Sequence, residues 1–95
     1  MDIKIYGDKM LGELDFHNEI ARQFEVESYY GKNLDALWDL LSTGVERPVN
    51  IIWLNANISR EKIPSFDKII SIFERAKIQD EQFEWEDKFT YTLIP

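Results

Sequence analysis

The chain has 95 residues, with 18 acids against 11 bases, a formal net charge of -7, 44% apolar residues and no cysteine. That length carries one small core, hence a single domain over residues 1–95, and the missing cysteine removes disulfides, thiolate catalysis and cysteine-ligated zinc. The acidic balance argues against direct contact with nucleic acid, because phosphate neutralisation needs clustered Lys and Arg, and points to a basic partner.

In chain order, Ile3 and Ile5 alternate with polar residues before Gly7, the pattern of a short strand with one exposed face. Phe16, Ile20, Ala21 and Phe24 recur at helical spacing and predict a first helix from about Leu14 to Phe24, with Asp15 near its start. His17, the one histidine, falls on this apolar-striped helix. No second ligand at metal spacing accompanies it, so it reads as a packing or capping residue, and neither metal nor cofactor is expected.

The segment Tyr29-Tyr30-Gly31-Lys32-Asn33-Leu34-Asp35-Ala36-Leu37-Trp38-Asp39 is the most informative. Asn33 can accept hydrogen bonds from the first free amides of a helix running from about Leu34 to Thr43, with Gly44 as its stop. That register puts Asp35, Trp38, Asp39 and Ser42 on one side and Leu37, Leu40 and Leu41 on the other. Each piece has an ordinary explanation: Asp35 favours the helix dipole, Asp39 is a solvated acid, Tyr29, Tyr30 and Trp38 are packing residues, and Gly31 supplies a backbone conformation that a side chain disfavours. Together, aromatics and acids beside a tight turn have the composition of a protein-binding hot spot.

Val49, Ile51, Ile52 and Leu54 form an almost continuous apolar run, the pattern of a central strand covered on both faces. Asn55 to Pro64 lacks a period and is expected as an irregular connection holding one helical turn at most. Ser65 is placed to cap a further helix whose buried stripe is Phe66, Ile69, Ile70, Phe73 and Ala76, while Lys68, Ser71, Arg75 and Gln79 fall elsewhere. The acids Asp80, Glu81, Glu84, Glu86 and Asp87, interrupted by Phe83 and Trp85, read as a solvated loop or hairpin edge. Phe89, Tyr91 and Leu93 alternate with Thr90 and Thr92 in a closing strand. Strands separated by helical segments imply an α/β fold, a small three-stranded parallel β-sheet with right-handed crossovers covered by about four helices.

The run from Tyr29 to Asp39, followed by Leu41, resembles the signature segment of the barstar family, intracellular inhibitors of the ribonuclease barnase. Asp15-Phe16-His17 with Ile20, Pro48 to Trp53, and Phe73 followed by Ala76-Lys77 extend the likeness to most of the chain. The resemblance implies that Asp39 mimics a substrate phosphate in a basic active site. It makes Asp35 a second acidic contact and Tyr29, Tyr30, Gly31, Asn33, Leu34 and Trp38 the surrounding ones, with Ser42 at the end of the same face. Beyond the helix the family has a tryptophan where this chain has Gly44, with Val45 and Glu46 retained. On the last helix, Arg75 stands where the family has an acidic contact. These residues complete the expected partner-binding set, and the reversed charge at Arg75 suggests a ribonuclease less basic at that point. The implied partner is a small barnase-like ribonuclease with a basic active-site cleft, bound by a monomer in a 1:1 complex. On this reading Asp39→Ala weakens binding far more than Asp80→Ala.

Two other function classes are open to the same residues. An enzyme could use Asp35 and Asp39 as an acid/base pair, but both are expected on a convex helix, whereas raising a carboxyl for acid catalysis needs a cleft. A non-inhibitory regulatory module could use the same acidic face, including as a nucleic-acid mimic for a DNA-binding protein. No apolar run of membrane-spanning length and no basic, apolar leader is visible, which sets a cytoplasmic expectation without membrane contact.

Overall fold

Strand β1 (Asp2–Tyr6), helices α1 (Glu13–Gln23) and α2 (Leu34–Asp39), strand β2 (Val49–Leu54), helices α3 (Ala56–Lys62) and α4 (Phe66–Gln82), and strand β3 (Phe89–Leu93) follow one another in the computed structural model, which describes all 95 residues. The sheet order is β1-β2-β3 and both pairings are parallel, with Ile3 beside Ile51 and Ile51 beside Tyr91. This is the expected three-stranded parallel α/β arrangement, with β2 in the centre. Two helices lie in each connection, because parallel neighbours need a long crossover.

The strands bury one face. Ile3, Ile5, Val49, Ile51, Trp53 and Phe89 are closed to solvent, while Asp2, Lys4, Tyr6, Thr90 and Thr92 are exposed on the opposite face. The expectation that β2 is covered on both sides is therefore corrected: Asn50, Ile52 and Leu54 are only half-buried. A central position supplied strand neighbours on both edges, but no helix covers that second face fully, and the apolar run reflects half-burial there.

Aromatic packing defines the core. Phe16 of α1 stacks on Trp53 with ring centroids 5.1 Å apart and planes at 7°, Phe66 meets Trp53 edge-on, and Phe73 of α4 tilts against both. Burial of each phenylalanine contributes roughly 1.5–3 kcal/mol. The Trp53 indole N–H donates to Ser59 Oγ at 2.9 Å, so the one polar atom of that ring is satisfied inside. A side chain at Gly7 would bring a Cβ within 2.5 Å of the Asn55 carbonyl oxygen and 2.8 Å of that of Leu54, so the end of β1 must be a glycine to lie against α3.

Three local expectations change. Asn55–Pro64 contains the seven-residue helix α3, begun by Asn55 at φ 54°, where asparagine is tolerated better than most side chains. Its inward residues are the small Ala56 and Ser59, which is why no apolar period announced it. Ser65 makes no side-chain cap on α4; its hydroxyl donates to Glu13 on α1 instead. Asp80 and Glu81 belong to α4, and Asp80 is fully buried, so only the remainder of the acidic stretch is a solvated loop. No helix is long and apolar enough to cross a membrane.

Candidate protein-binding site

Asn33 begins the candidate site as its sequence suggested, with Oδ1 accepting from the Ala36 amide at 2.7 Å. Asp35, opposite in charge to the positive end of the helix, occupies the first turn. Leu37, Leu40 and Leu41 are buried against the core, and Leu34 is half-buried. The helix does not continue regularly to Thr43. After Asp39 the backbone widens into a π-type turn over Leu40–Gly44, which slips the angular register of everything beyond it. Ser42, expected on the open side, is consequently buried, and Thr43 is exposed in its place.

Asp35 and Asp39 are both exposed, and neither carboxylate makes an ion pair or hydrogen bond within the chain. Beside Asp39 lies a hollow of about 210 Å³ lined by Tyr29, Tyr30, Gly31, Ala36, Asp39, Leu40 and Gly44. Gly44 leaves this hollow open simply by having no side chain. A second depression, of about 730 Å³, brings Tyr29 and Gly44 together with Val45 and Glu46. Five of the expected contact residues thus surround one depression, and two more border the next.

Tyr29 is 70% exposed, whereas Tyr30 is only 7% exposed and belongs to the core. Its hydroxyl lies 2.6 Å from His17 Nδ1, and His17 Nε2 lies 2.7 Å from Glu13 Oε2. A carboxylate only accepts, so His17 Nε2 donates to Glu13, and in the tautomer this leaves for an uncharged ring Nδ1 accepts from the Tyr30 hydroxyl. Burial, then the Glu13 charge, pushes the Tyr30 hydroxyl pKa well above its ordinary value. The hydrogen bonds from Ser65 and then His17 hold Glu13 below the usual carboxylate value. Ser65, Glu13, His17 and Tyr30 form one chain that ties the loop before α2 to α1 and α4; Tyr30 shapes the hollow from beneath while Tyr29 presents its ring to solvent.

Gly31 is not in the left-handed region, contrary to expectation; no glycine is. Its role is close approach, since a Cβ there would come 3.2 Å from that of Ala36. The left-handed residue is Lys32, at φ 55°.

Arg75 covers Trp38. The guanidinium carbon sits 3.8 Å from the indole centroid, a cation-π contact, and Arg75 is exposed without an acidic partner in the chain. Trp38 is left half-buried at the junction of α2 and α4.

Sequence reading missed what fixes this face in place. Arg47 donates through Nε and Nη2 to the two oxygens of Asp80, at 2.9 and 3.1 Å, and also donates to the Leu41 and Val45 carbonyls. Asp80 further accepts from the Phe89 amide at 2.6 Å. One buried fork therefore joins the turn after α2 to α4 and β3. Burial alone would raise the Asp80 pKa, but Arg47, the Phe89 amide and Gln79 outweigh it and hold the carboxyl below its ordinary value. The signal was present: Asp80 continues the Phe66, Ile69, Phe73, Ala76 stripe by one more helical step.

The fold and this face define a small α/β protein whose second helix presents unpaired carboxylates beside a tyrosine-lined hollow. The family model described as Barstar (barnase inhibitor) matches residues 1–92, and the chain belongs to the barstar family. It is also 32% identical over 74 residues to the "Putative ribonuclease inhibitor YrdF" of Bacillus subtilis (strain 168), an alignment covering 77% of this chain and 76% of that protein.

Proposed function

We propose that this protein is a non-catalytic inhibitor of a small guanyl-specific ribonuclease of the barnase type, occluding its basic active site in a 1:1 complex. Family membership supports ribonuclease inhibition as the general activity. The observation that carries the finer reading is Asp39: an exposed carboxylate, unsatisfied within its own fold, on a rigid helix at the lip of a hollow framed by Tyr29, Gly31 and Gly44. A ribonuclease site must concentrate cationic side chains to hold phosphate, so such a carboxylate can take the phosphate's place and exclude substrate. Presentation on a packed helix limits the conformational freedom lost on docking, and the charge of -7 speeds encounter with a basic enzyme at low salt. RNA itself is not a ligand on this reading.

Inhibition of RNA cleavage tests it. Wild type should inhibit barnase or a related guanyl-specific ribonuclease, and Asp39→Ala should weaken inhibition at least 100-fold, about 2.7 kcal/mol. The equal-charge control belongs at an exposed acid such as Glu61 on α3, because Asp80, buried in its ion pair, would report on folding. Equal losses from Asp39→Ala and Glu61→Ala would mean diffuse attraction rather than a plugged site. Absence of inhibition across several such enzymes would favour a regulatory module that uses this face on another protein.

A further inference from the structure

The α4–β3 connection holds an exposed aromatic pair that lies outside the α2 face. Phe83 and Trp85 stack on each other, centroids 5.4 Å apart and planes at 22°, yet remain 61% and 42% exposed. The pair is ordered by its backbone. Phe83 donates to the Gln79 carbonyl to close α4, Glu84 then turns left-handed at φ 55°, and the Trp85 amide returns to the Asp80 carbonyl at 3.4 Å. Arg47, already clamped by Asp80, lies 5.6 Å from the Trp85 ring centroid. Side chains seldom adopt that conformation, and the turn at Glu84 leaves two large apolar rings facing water.

Two grooves flank the pair and both lead to the candidate site. One, of about 580 Å³, is lined by Trp38, Arg75, Ile78 and Phe83 among others; the other runs from Thr43 and Val45 to Trp85, Glu86 and Asp87. Ile78 adds a third exposed apolar side chain. Around them Glu84, Glu86 and Asp87 are exposed and take part in no ion pair within the chain. Exposed aromatics ringed by unpaired acids, continuous with a face of the same character, match the composition expected at the edge of an interface with a basic protein. An anionic membrane or a second copy of this chain would be repelled by the same carboxylates.

We propose that the Phe83–Trp85 pair, with Ile78 and the acids Glu84, Glu86 and Asp87, is a second docking element that seats the rim of the same basic ribonuclease. This rests on the ribonuclease reading above and extends its interface from α2 to the end of α4. The aromatic pair governs release of the complex, and the acids govern its formation.

The test compares inhibition constants and association rates for wild type, Asp39→Ala, Phe83→Ala and the double variant Glu86→Gln/Asp87→Asn against barnase and other small guanyl-specific ribonucleases. Phe83→Ala should weaken inhibition about tenfold through faster release with an unchanged unfolding midpoint, since its ring is largely solvent-exposed. Glu86→Gln/Asp87→Asn should slow association several-fold at low salt and not at high salt. In the wild-type complex, amide exchange across residues 83–88 should slow, a readout independent of any variant's folding. If Asp39→Ala abolishes inhibition while Phe83→Ala and the exchange rates at 83–88 stay unchanged, the second docking element is wrong and the ribonuclease reading stands. If wild type inhibits none of these enzymes, both fall.

Discussion

Asp39 and Asp80 are the same residue in opposite settings. Asp39 stands on a six-residue helix with its carboxylate exposed and unpaired, whereas Asp80 is fully buried, gripped by Arg47 and hydrogen-bonded to the Phe89 amide. Arg47, paired with Asp80, holds the Leu41 and Val45 carbonyls, and so the backbone just beyond Asp39, against α4 and β3. An unsatisfied charge can be displayed in a defined direction when the backbone beneath it is fixed by satisfied ones.

Removal of Asp80 should break this comparison with the largest effect. Asp80→Ala leaves Arg47, 9% exposed, without its counter-charge, and is expected to cost about 3–5 kcal/mol in urea unfolding. Asp39→Ala should change the same measurement by less than about 0.5 kcal/mol. If Asp80→Ala unfolded within about 1 kcal/mol of wild type, the fork would not be what fixes the presenting segment.

Acid titration sharpens the same contrast. Asp80 has its folded pKa depressed, so its contribution is fully present above the unfolded carboxyl value of about 3.9 and is lost as pH falls through the depressed folded value. Glu13, lowered by Ser65 and His17, acts in the same direction. Stability should therefore fall steeply on acidification below about pH 4, and Asp80→Asn should flatten that limb while lowering the neutral-pH plateau. Unfolding free energies across the acid range check both features.

How legible these roles were in the sequence depends on whether a local pattern encoded them. Asn33 could be read as a cap and Leu37, Leu40 and Leu41 as the anchoring side, because capping and helical spacing are local rules. Alternation in β1 and β3 was legible for the same reason, whereas the central place of β2 follows from an apolar run whose second face is only half-buried. Helical spacing misplaces Ser42 because a widened turn after Asp39 has no propensity signature, and α3 shows no apolar period because it buries Ala56 and Ser59 rather than large side chains. Composition groups Asp80 with its acidic neighbours, although its spacing from Phe73 and Ala76 puts it inward. The partner that makes that burial tolerable, Arg47, is 33 residues away, beyond the reach of any local rule.

On the open face, Arg75 offers a smaller perturbation. Its guanidinium stacks on Trp38 and faces a partner whose site must itself be cationic on the proposed reading. Arg75→Glu removes that like charge and uncovers the indole. It should tighten binding to barnase-like enzymes by about tenfold, or 1.4 kcal/mol, with the gain shrinking as salt is raised. Weaker binding instead would mean that Arg75 already pairs with an acid on the ribonuclease, and the charge reversal would then be a specificity contact.

The smallest expected effect separates scaffold from surface at one position. Lys32 sits between the close-packed Gly31 and the cap Asn33, in the left-handed region at φ 55°, and takes no part in an ion pair. A side chain there costs up to about 1 kcal/mol relative to glycine, and part of the relief from Lys32→Gly is offset by the greater freedom of glycine in the unfolded chain. The net expectation is a gain of about 0.5 kcal/mol in unfolding free energy. Because the loop conformation is unchanged by that substitution, Asp39 and the hollow beside it should keep their geometry, and inhibition should stay within about twofold of wild type. A gain in stability accompanied by a large loss of inhibition would assign Lys32 to the contact surface itself, and the left-handed turn would then be holding a functional side chain rather than only redirecting the chain into α2.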